Sequence, residues 1–63
     1  LSTQGANAVV TQKKLLNMAA QAKDAGKNKE AVLIYNYFLK LYPNSNFHDF
    51  VSKQIEALNV TNS

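Results

Sequence analysis

Cysteine is absent from this chain of 63 residues, so neither disulfide bonds nor thiolate metal ligands can stabilise its fold. His48 is the only histidine, and one imidazole without several well-placed carboxylates does not make a metal site. A domain of this size buries only about 60% of the surface of its unfolded chain, which leaves a lone monomer marginally stable. Small natural domains add disulfides, metals or partner subunits. The sequence therefore favours association with other subunits and predicts no cofactor.

Arginine is also absent, and the net charge of +3 comes from seven lysines against four acidic residues. Proteins that recognise nucleic acid depend on arginine for bidentate contacts to bases and phosphates. Lysine alone supplies a weak, salt-sensitive attraction to polyanions, so nucleic-acid binding is not expected as the main function. No apolar run approaches the ~20 residues of a membrane-spanning helix, so no membrane span is expected.

The sequence also lacks any combination of residues that is typical of an active site. The four acids are Asp24, Glu30, Asp49 and Glu56, and they are spread along the chain at positions typical of helix ends and surface charges. No serine or threonine has a plausible relay through histidine to an acid. The two glycines are too far apart for a phosphate-binding loop. We predict no catalytic residue and no enzyme activity.

Apolar spacing and helix-end residues predict an all-α domain of three helices. Thr11 is the candidate N-cap of a first helix, and Gly26 supplies the left-handed residue that ends it. Asn28 is the candidate cap of the second helix, which Pro43 ends near Tyr42. The predicted organisation is an irregular N-terminal arm at 1–11, a three-helix domain at 12–58 and a frayed tail at 59–63.

The first two helices carry the spacing of one helical-repeat hairpin. Its pattern consists of Leu15, Met18, Ala19 and Ala22 on one stripe, Gly26 at the turn, then Ala31, Tyr35 and Pro43. This pattern resembles a single tetratricopeptide repeat over about half of the chain, with Leu15 where tryptophan is usual and Ala22 where tyrosine is usual. The resemblance implies a helix–turn–helix scaffold for contacts with other proteins.

The third helix is amphipathic and is not a copy of the first. Asn44, Ser45 and Asn46 are its candidate caps, and Asp49 falls in its favourable first turn. Its apolar face consists of Phe47, Phe50, Val51, Gln54, Ile55 and Leu58. It looks like the C-terminal helix that closes many tetratricopeptide arrays.

The second helix is apolar nearly all the way round, with only Asn36 and Lys40 strongly polar between positions 32 and 42. A helix on the outside of a three-helix domain is expected to show a polar face. The repeat pattern turns four residues inward, namely Ala31, Tyr35, Phe38 and Leu39. The other large residues favour a self-assembly surface over simple coverage by the neighbouring helices. Its predicted members are Leu33, Ile34, Tyr37, Leu41 and Tyr42.

Repeat hairpins bury their faces by stacking, and about three are needed for a stable array. We therefore predict a structural module that stacks on copies of itself, giving an oligomer or, where the rotation does not close a ring, a filament.

One alternative is a peptide-binding adaptor from a larger protein. The resemblance turns Lys13, Leu16, Ala20 and Lys23 toward a concave groove. Leu16 and Ala20 occupy the positions where chaperone-tail clamps of the family carry lysine and asparagine, so acidic chaperone tails are not expected ligands. A further alternative is a three-helix domain of the microtubule-interacting-and-trafficking type, which is similar in the stretch DAGKNKEAVLIY.

Asn59, Val60 and Thr61 form an N-glycosylation acceptor triplet at the end of the third helix. Together with a chain that begins at Leu1 instead of methionine, this triplet favours a secreted, processed protein.

Overall fold

Three α-helices and no β-strand make up the part of the chain that the computed structural model describes, which is the backbone of residues 2–62 and the side chains of residues 8–60. They are α1 (Ser2–Asp24), α2 (Asn28–Leu41) and α3 (His48–Asn62). The predicted all-α class is confirmed. The molecule is elongated, with extents of 44 × 20 × 14 Å.

Both ends of the domain are more helical than the sequence pattern predicts. The backbone of residues 2–11 belongs to α1, which corrects the irregular arm predicted for 1–11, and Thr11 lies inside the helix instead of capping it. Likewise, α3 includes residues 59–62, where a frayed tail was predicted. Gly5 and the β-branched residues of the first segment have low helix propensity. Extending an existing helix nevertheless adds one hydrogen bond per residue, so a packed helix continues through weak formers. Residues 1 and 63 lie outside the described part.

The turn between α1 and α2 is closed by a left-handed glycine. Gly26 has a φ of 80°, its N–H donates to the Lys23 carbonyl at 3.0 Å, and the Lys27 N–H donates to the Ala22 carbonyl at 2.8 Å. These two bonds form a Schellman motif, so the predicted helix end at Gly26 is confirmed. Asn28 is the first residue of α2 and not its cap; Lys27 occupies the cap position and makes no side-chain capping bond.

The end of α2 is set by Pro43. A proline disfavours helical geometry at the residue before it. Tyr42 accordingly has a φ of −131°, outside the helical region, while its N–H donates to the Phe38 carbonyl at 2.8 Å. The helix therefore ends at Leu41, one residue before the predicted end.

Ser45 forms hydrogen bonds with the backbone at the start of α3. Its hydroxyl accepts a hydrogen bond from the Phe47 N–H at 3.0 Å and donates to the Gln12 side-chain oxygen of α1 at 2.6 Å. Its carbonyl accepts from the His48 N–H at 3.0 Å. Of the three predicted caps, Ser45 is thus the one that satisfies orphan backbone groups at the start of this helix.

The core lies along α2, because α1 and α3 both pack against it. Its buried residues are Ala19, Ala22, Ala31, Tyr35, Phe38, Val51 and Leu58. Ala19 and Ala31 are fully buried, which indicates close approach of α1 and α2. The Phe38 ring lies 5.5 Å from the Tyr42 ring and 6.5 Å from the Phe47 ring, measured between centroids. The predicted inward positions of Ala31, Tyr35 and Phe38 are confirmed.

Two residues that were predicted on buried stripes are about half exposed, Met18 on α1 and Phe50 on α3. The reason is geometric: α1 and α3 each pack against one neighbouring helix, α2. A single neighbour covers only part of an apolar stripe, so residues at its edge stay in solvent.

Candidate functional site

Three large apolar residues form a row on the outer side of α2. Leu33, Tyr37 and Leu41 are 69%, 52% and 44% exposed, and their spacing of four residues places them on one side of the helix. The opposite side carries the buried Tyr35 and Phe38, so the row faces away from α1 and α3. We call these three residues the α2 stripe.

The other two predicted members of the self-assembly surface lie elsewhere. Ile34 and Tyr42 are partly buried and pack against the core. Ile34 stands four residues before Phe38 and therefore lies at the edge of the buried face. The Tyr42 ring packs on the Phe38 ring, as described above. The structure therefore brings together Leu33, Tyr37 and Leu41 and leaves these two out.

A groove separates α1 from α3 on the opposite side of the molecule. It has a volume of about 340 Å³ and is lined by Leu16, Asn17, Ala20, Tyr35, Phe47 and Phe50. We call it the α1–α3 groove. None of these lining residues carries a charge, and the aromatic rings make it mainly apolar. Leu16 and Ala20, which were predicted to face a groove, both line it.

The two lysines that were predicted beside the groove are not among its lining residues. Lys23 donates a hydrogen bond from Nζ to the Gln54 side-chain oxygen at 3.3 Å, which links α1 to α3. Lys13 is exposed. The sequence pattern did not identify Phe47, Phe50 and Tyr35 as groove residues. The placement of both phenylalanines at the edge of the apolar face of the third helix is the feature that could have indicated this.

Tyr35 lines the base of the groove and is almost completely buried. Burial raises the pKa of its phenol above the ordinary value, and the negative charge of Asp24 raises it further. The neutral phenol is therefore the form that the folded protein favours.

Asn59 lies in α3 and is exposed, as is the neighbouring Val60. The acceptor triplet predicted from the sequence is thus helical in its backbone. The side chain of Thr61 lies outside the described residues.

None of the described helices combines the length and the apolar character needed to cross a membrane. Comparison of the chain with protein-family models, with curated proteins and with solved structures finds no match. The functional proposal therefore depends on the surface of the molecule itself.

Proposed function

We propose that this protein is a non-enzymatic structural module that assembles with copies of itself, and that the α2 stripe is the primary contact. The observation that carries the proposal is the exposure of Leu33, Tyr37 and Leu41 side by side. Single exposed apolar residues are ordinary on a protein surface, whereas a continuous row of large ones is typical of an interaction site.

The apolar area of this row is comparable in free energy to the cost of association of two copies. Complete burial of a large apolar side chain is worth about 1.5–3 kcal/mol, and these three are already about half buried. Six such side chains from two copies would contribute about 5–9 kcal/mol, against an association cost of about 4–15 kcal/mol. The contact is therefore expected to be concentration-dependent and to benefit from further contacts.

Charge favours one orientation of this contact. Glu30 and Lys40 are both exposed and lie near opposite ends of the α2 stripe. When two α2 helices pack antiparallel through the stripe, Glu30 of one copy comes beside Lys40 of the other, twice by symmetry. A parallel arrangement would place like charges together.

The hairpin of α1 and α2 supports the same proposal. It resembles one unit of a helical-repeat array, and such units reach stability by stacking on neighbours. We propose that the assembled state, an oligomer or a filament, supplies this packing from other copies.

The test is a double substitution, Leu33→Lys with Tyr37→Glu, which places opposite charges in the stripe and leaves the net charge unchanged. Light scattering should show loss of association, while far-ultraviolet circular dichroism should retain the helix content, because both residues are exposed. The matched control is Lys29→Gln with Asn36→Lys, which also keeps the net charge and changes exposed positions of α2 beside the stripe. The proposal fails when the stripe variant associates as the wild type does.

A second candidate function is the binding of an apolar peptide, and the observation that favours it is the α1–α3 groove. An adaptor of this kind would be a monomer at all concentrations and would gain thermal stability when a peptide binds. The same light-scattering series therefore separates the two functions.

A further inference from the structure

The first residues of α1 extend past the end of its partner helix. The Gln12 side chain meets Ser45 in the turn after α2, so residues 2–11 continue beyond the region where α2 covers α1. We call residues 2–11 the N-terminal segment. Val9 and Val10, whose side chains the structure describes, are 48% and 62% exposed.

This segment differs in charge from the rest of the chain. All the charged side chains, seven lysines and four acids, lie at or after Lys13. Because each copy carries a net charge of +3, copies repel one another wherever lysines meet. The N-terminal segment can approach a second copy without this repulsion.

A partner would stabilise the helix of this segment further. Gly5 and the β-branched Thr3, Val9, Val10 and Thr11 are all poor helix formers. These are five of the ten residues of the segment. Most helical stability in proteins comes from packing of one face. An additional packing surface would supply what the sequence lacks.

The α1–α3 groove has matching chemistry. Its lining residues are uncharged and mainly apolar. It lies between two hydrogen bonds that tie α1 to its neighbours, from Gln12 to Ser45 and from Lys23 to Gln54. Its α1 wall, from Leu16 to Ala20, spans about 6 Å along the helix axis, which is about the length of the single turn that carries Val9 and Val10.

We propose that the α1–α3 groove binds the N-terminal segment of a second copy, with Val9 and Val10 against the groove aromatics Phe47 and Phe50. This proposal rests on the self-assembly proposed above and specifies its second contact. The contact is heterologous, since the segment and the groove are different surfaces, and repetition of such a contact generates a ring or an open filament.

The free energies gained at the two contacts set the order in which they form. Burying two half-exposed valines contributes about 1–3 kcal/mol, less than the cost of association by itself. The groove contact therefore needs the α2 stripe, which raises the effective concentration of neighbouring segments. Pairs form through the stripe, and segment–groove contacts join pairs into larger assemblies.

An acidic peptide is a poorer occupant. It would need cationic groups at the groove, whereas Lys13 is not among the lining residues and Lys23 is bonded to Gln54. The groove offers an acid no charged partner. An uncharged helical segment leaves no buried charge unpaired.

The first experiment compares masses by light scattering over a concentration series of the full chain. We expect the wild type to exceed two copies, and we expect Val9→Glu with Val10→Glu, and separately Ala20→Trp, to stop at two. The first places charge on the segment, and the second fills the groove at an exposed position. Gln21→Trp, at an exposed position of α1 outside the groove, is the control and should behave as the wild type does.

The second experiment uses the natural absence of cysteine. Chains carrying Val9→Cys are mixed with chains carrying Ala20→Cys and oxidised, and the disulfide-linked heterodimer is quantified by mass. We expect at least a fivefold greater yield than from Val9→Cys mixed with Lys53→Cys, because Lys53 is exposed and is not among the lining residues of the groove.

Equal yields of disulfide-linked heterodimer in the two mixtures would overturn the proposal. It would also be overturned if the segment variant and the groove variant reached the same mass as the wild type. A wild type that forms pairs but never exceeds two copies overturns it as well. None of these outcomes affects the stripe. The self-assembly proposal would fail on different results. Either the wild type would stay monomeric, or the variant with Leu33→Lys and Tyr37→Glu would associate as the wild type does.

Discussion

The Ser45 hydroxyl donates a hydrogen bond of 2.6 Å to the Gln12 side-chain oxygen and accepts one of 3.0 Å from the Phe47 N–H. One side chain in the turn after α2 thereby joins α1 to the start of α3. Since α1 and α3 both pack on α2, this bridge and the bond from Lys23 to Gln54 fix the relative placement of the two groove walls.

Replacing Ser45 by alanine should destabilise the fold by about 1–2 kcal/mol, because it removes a helix-start bond and the partner of the Gln12 amide oxygen. The measurement is urea unfolding followed by circular dichroism. Asn46→Ala, at the exposed neighbouring position, is the control and should change stability by less than about 0.5 kcal/mol. Equal costs for the two variants would mean that the Ser45 bridge contributes nothing specific.

Ala31 is a site where added volume should be harmful. It is fully buried, as is Ala19 on α1, so a larger side chain would push the helices apart. Ala31→Leu should cost about 1–3 kcal/mol in urea unfolding. Ala20→Leu, the same exchange at an exposed position, should be nearly neutral in stability. A neutral Ala31→Leu variant would show that the two helices are not closely packed at this point.

The raised pKa of Tyr35 predicts a loss of stability at high pH. Burial holds its pKa above the ordinary value, so in the unfolded chain it loses its proton first, near pH 10. Above that pH the unfolded state binds fewer protons than the folded state, and stability falls as pH rises through the folded-state pKa. Tyr35→Phe should weaken this dependence, measured as urea midpoints between pH 8 and pH 11.

The matched control is Tyr37→Phe, which removes the same hydroxyl from an exposed position. All three proteins carry the same charged residues, so the comparison isolates the buried phenol. If Tyr35→Phe loses stability above pH 10 as steeply as the wild type and Tyr37→Phe do, the phenol of Tyr35 is not the source.

The antiparallel arrangement of α2 helices predicts rescue by charge exchange. Glu30→Lys and Lys40→Glu should each weaken pairing, because each places like charges opposite one another at both ends of the contact. The double exchange should restore most of the affinity. Exposed ion pairs are worth about 0.2–1 kcal/mol each, so each single variant should raise the dissociation constant severalfold. Additive weakening in the double variant, measured by sedimentation, would contradict the antiparallel arrangement.

The inward residues of α2 were predicted from the resemblance to a helical repeat, whose pattern sets the spacing of its buried residues. Ala31, Tyr35 and Phe38 recur at the spacing of one helix face, and all three are buried. The same reasoning failed at Met18 and Phe50, since spacing shows which side of a helix is apolar and not how much of that side a neighbour covers. That depends on the number of neighbours, which the structure alone supplies.

The ends of the domain were harder to predict. Residues 2–11 combine glycine with β-branched residues, and local propensity favours an irregular arm there. Ile34 and Tyr42 illustrate the same limit: their residue types fit an exposed apolar surface, but both are partly buried and pack against the core. The groove was only half predicted, because its α1 wall came from the repeat pattern and its α3 wall from packing.

The most direct test of the account is the mass of the wild-type chain by light scattering across a concentration series, with the same samples viewed by negative-stain microscopy. Self-assembly predicts a mass that rises with concentration beyond one copy, with oligomers or filaments in the images. A constant mass of 7.0 kDa at every concentration would contradict it and would leave the groove as a site for a separate peptide.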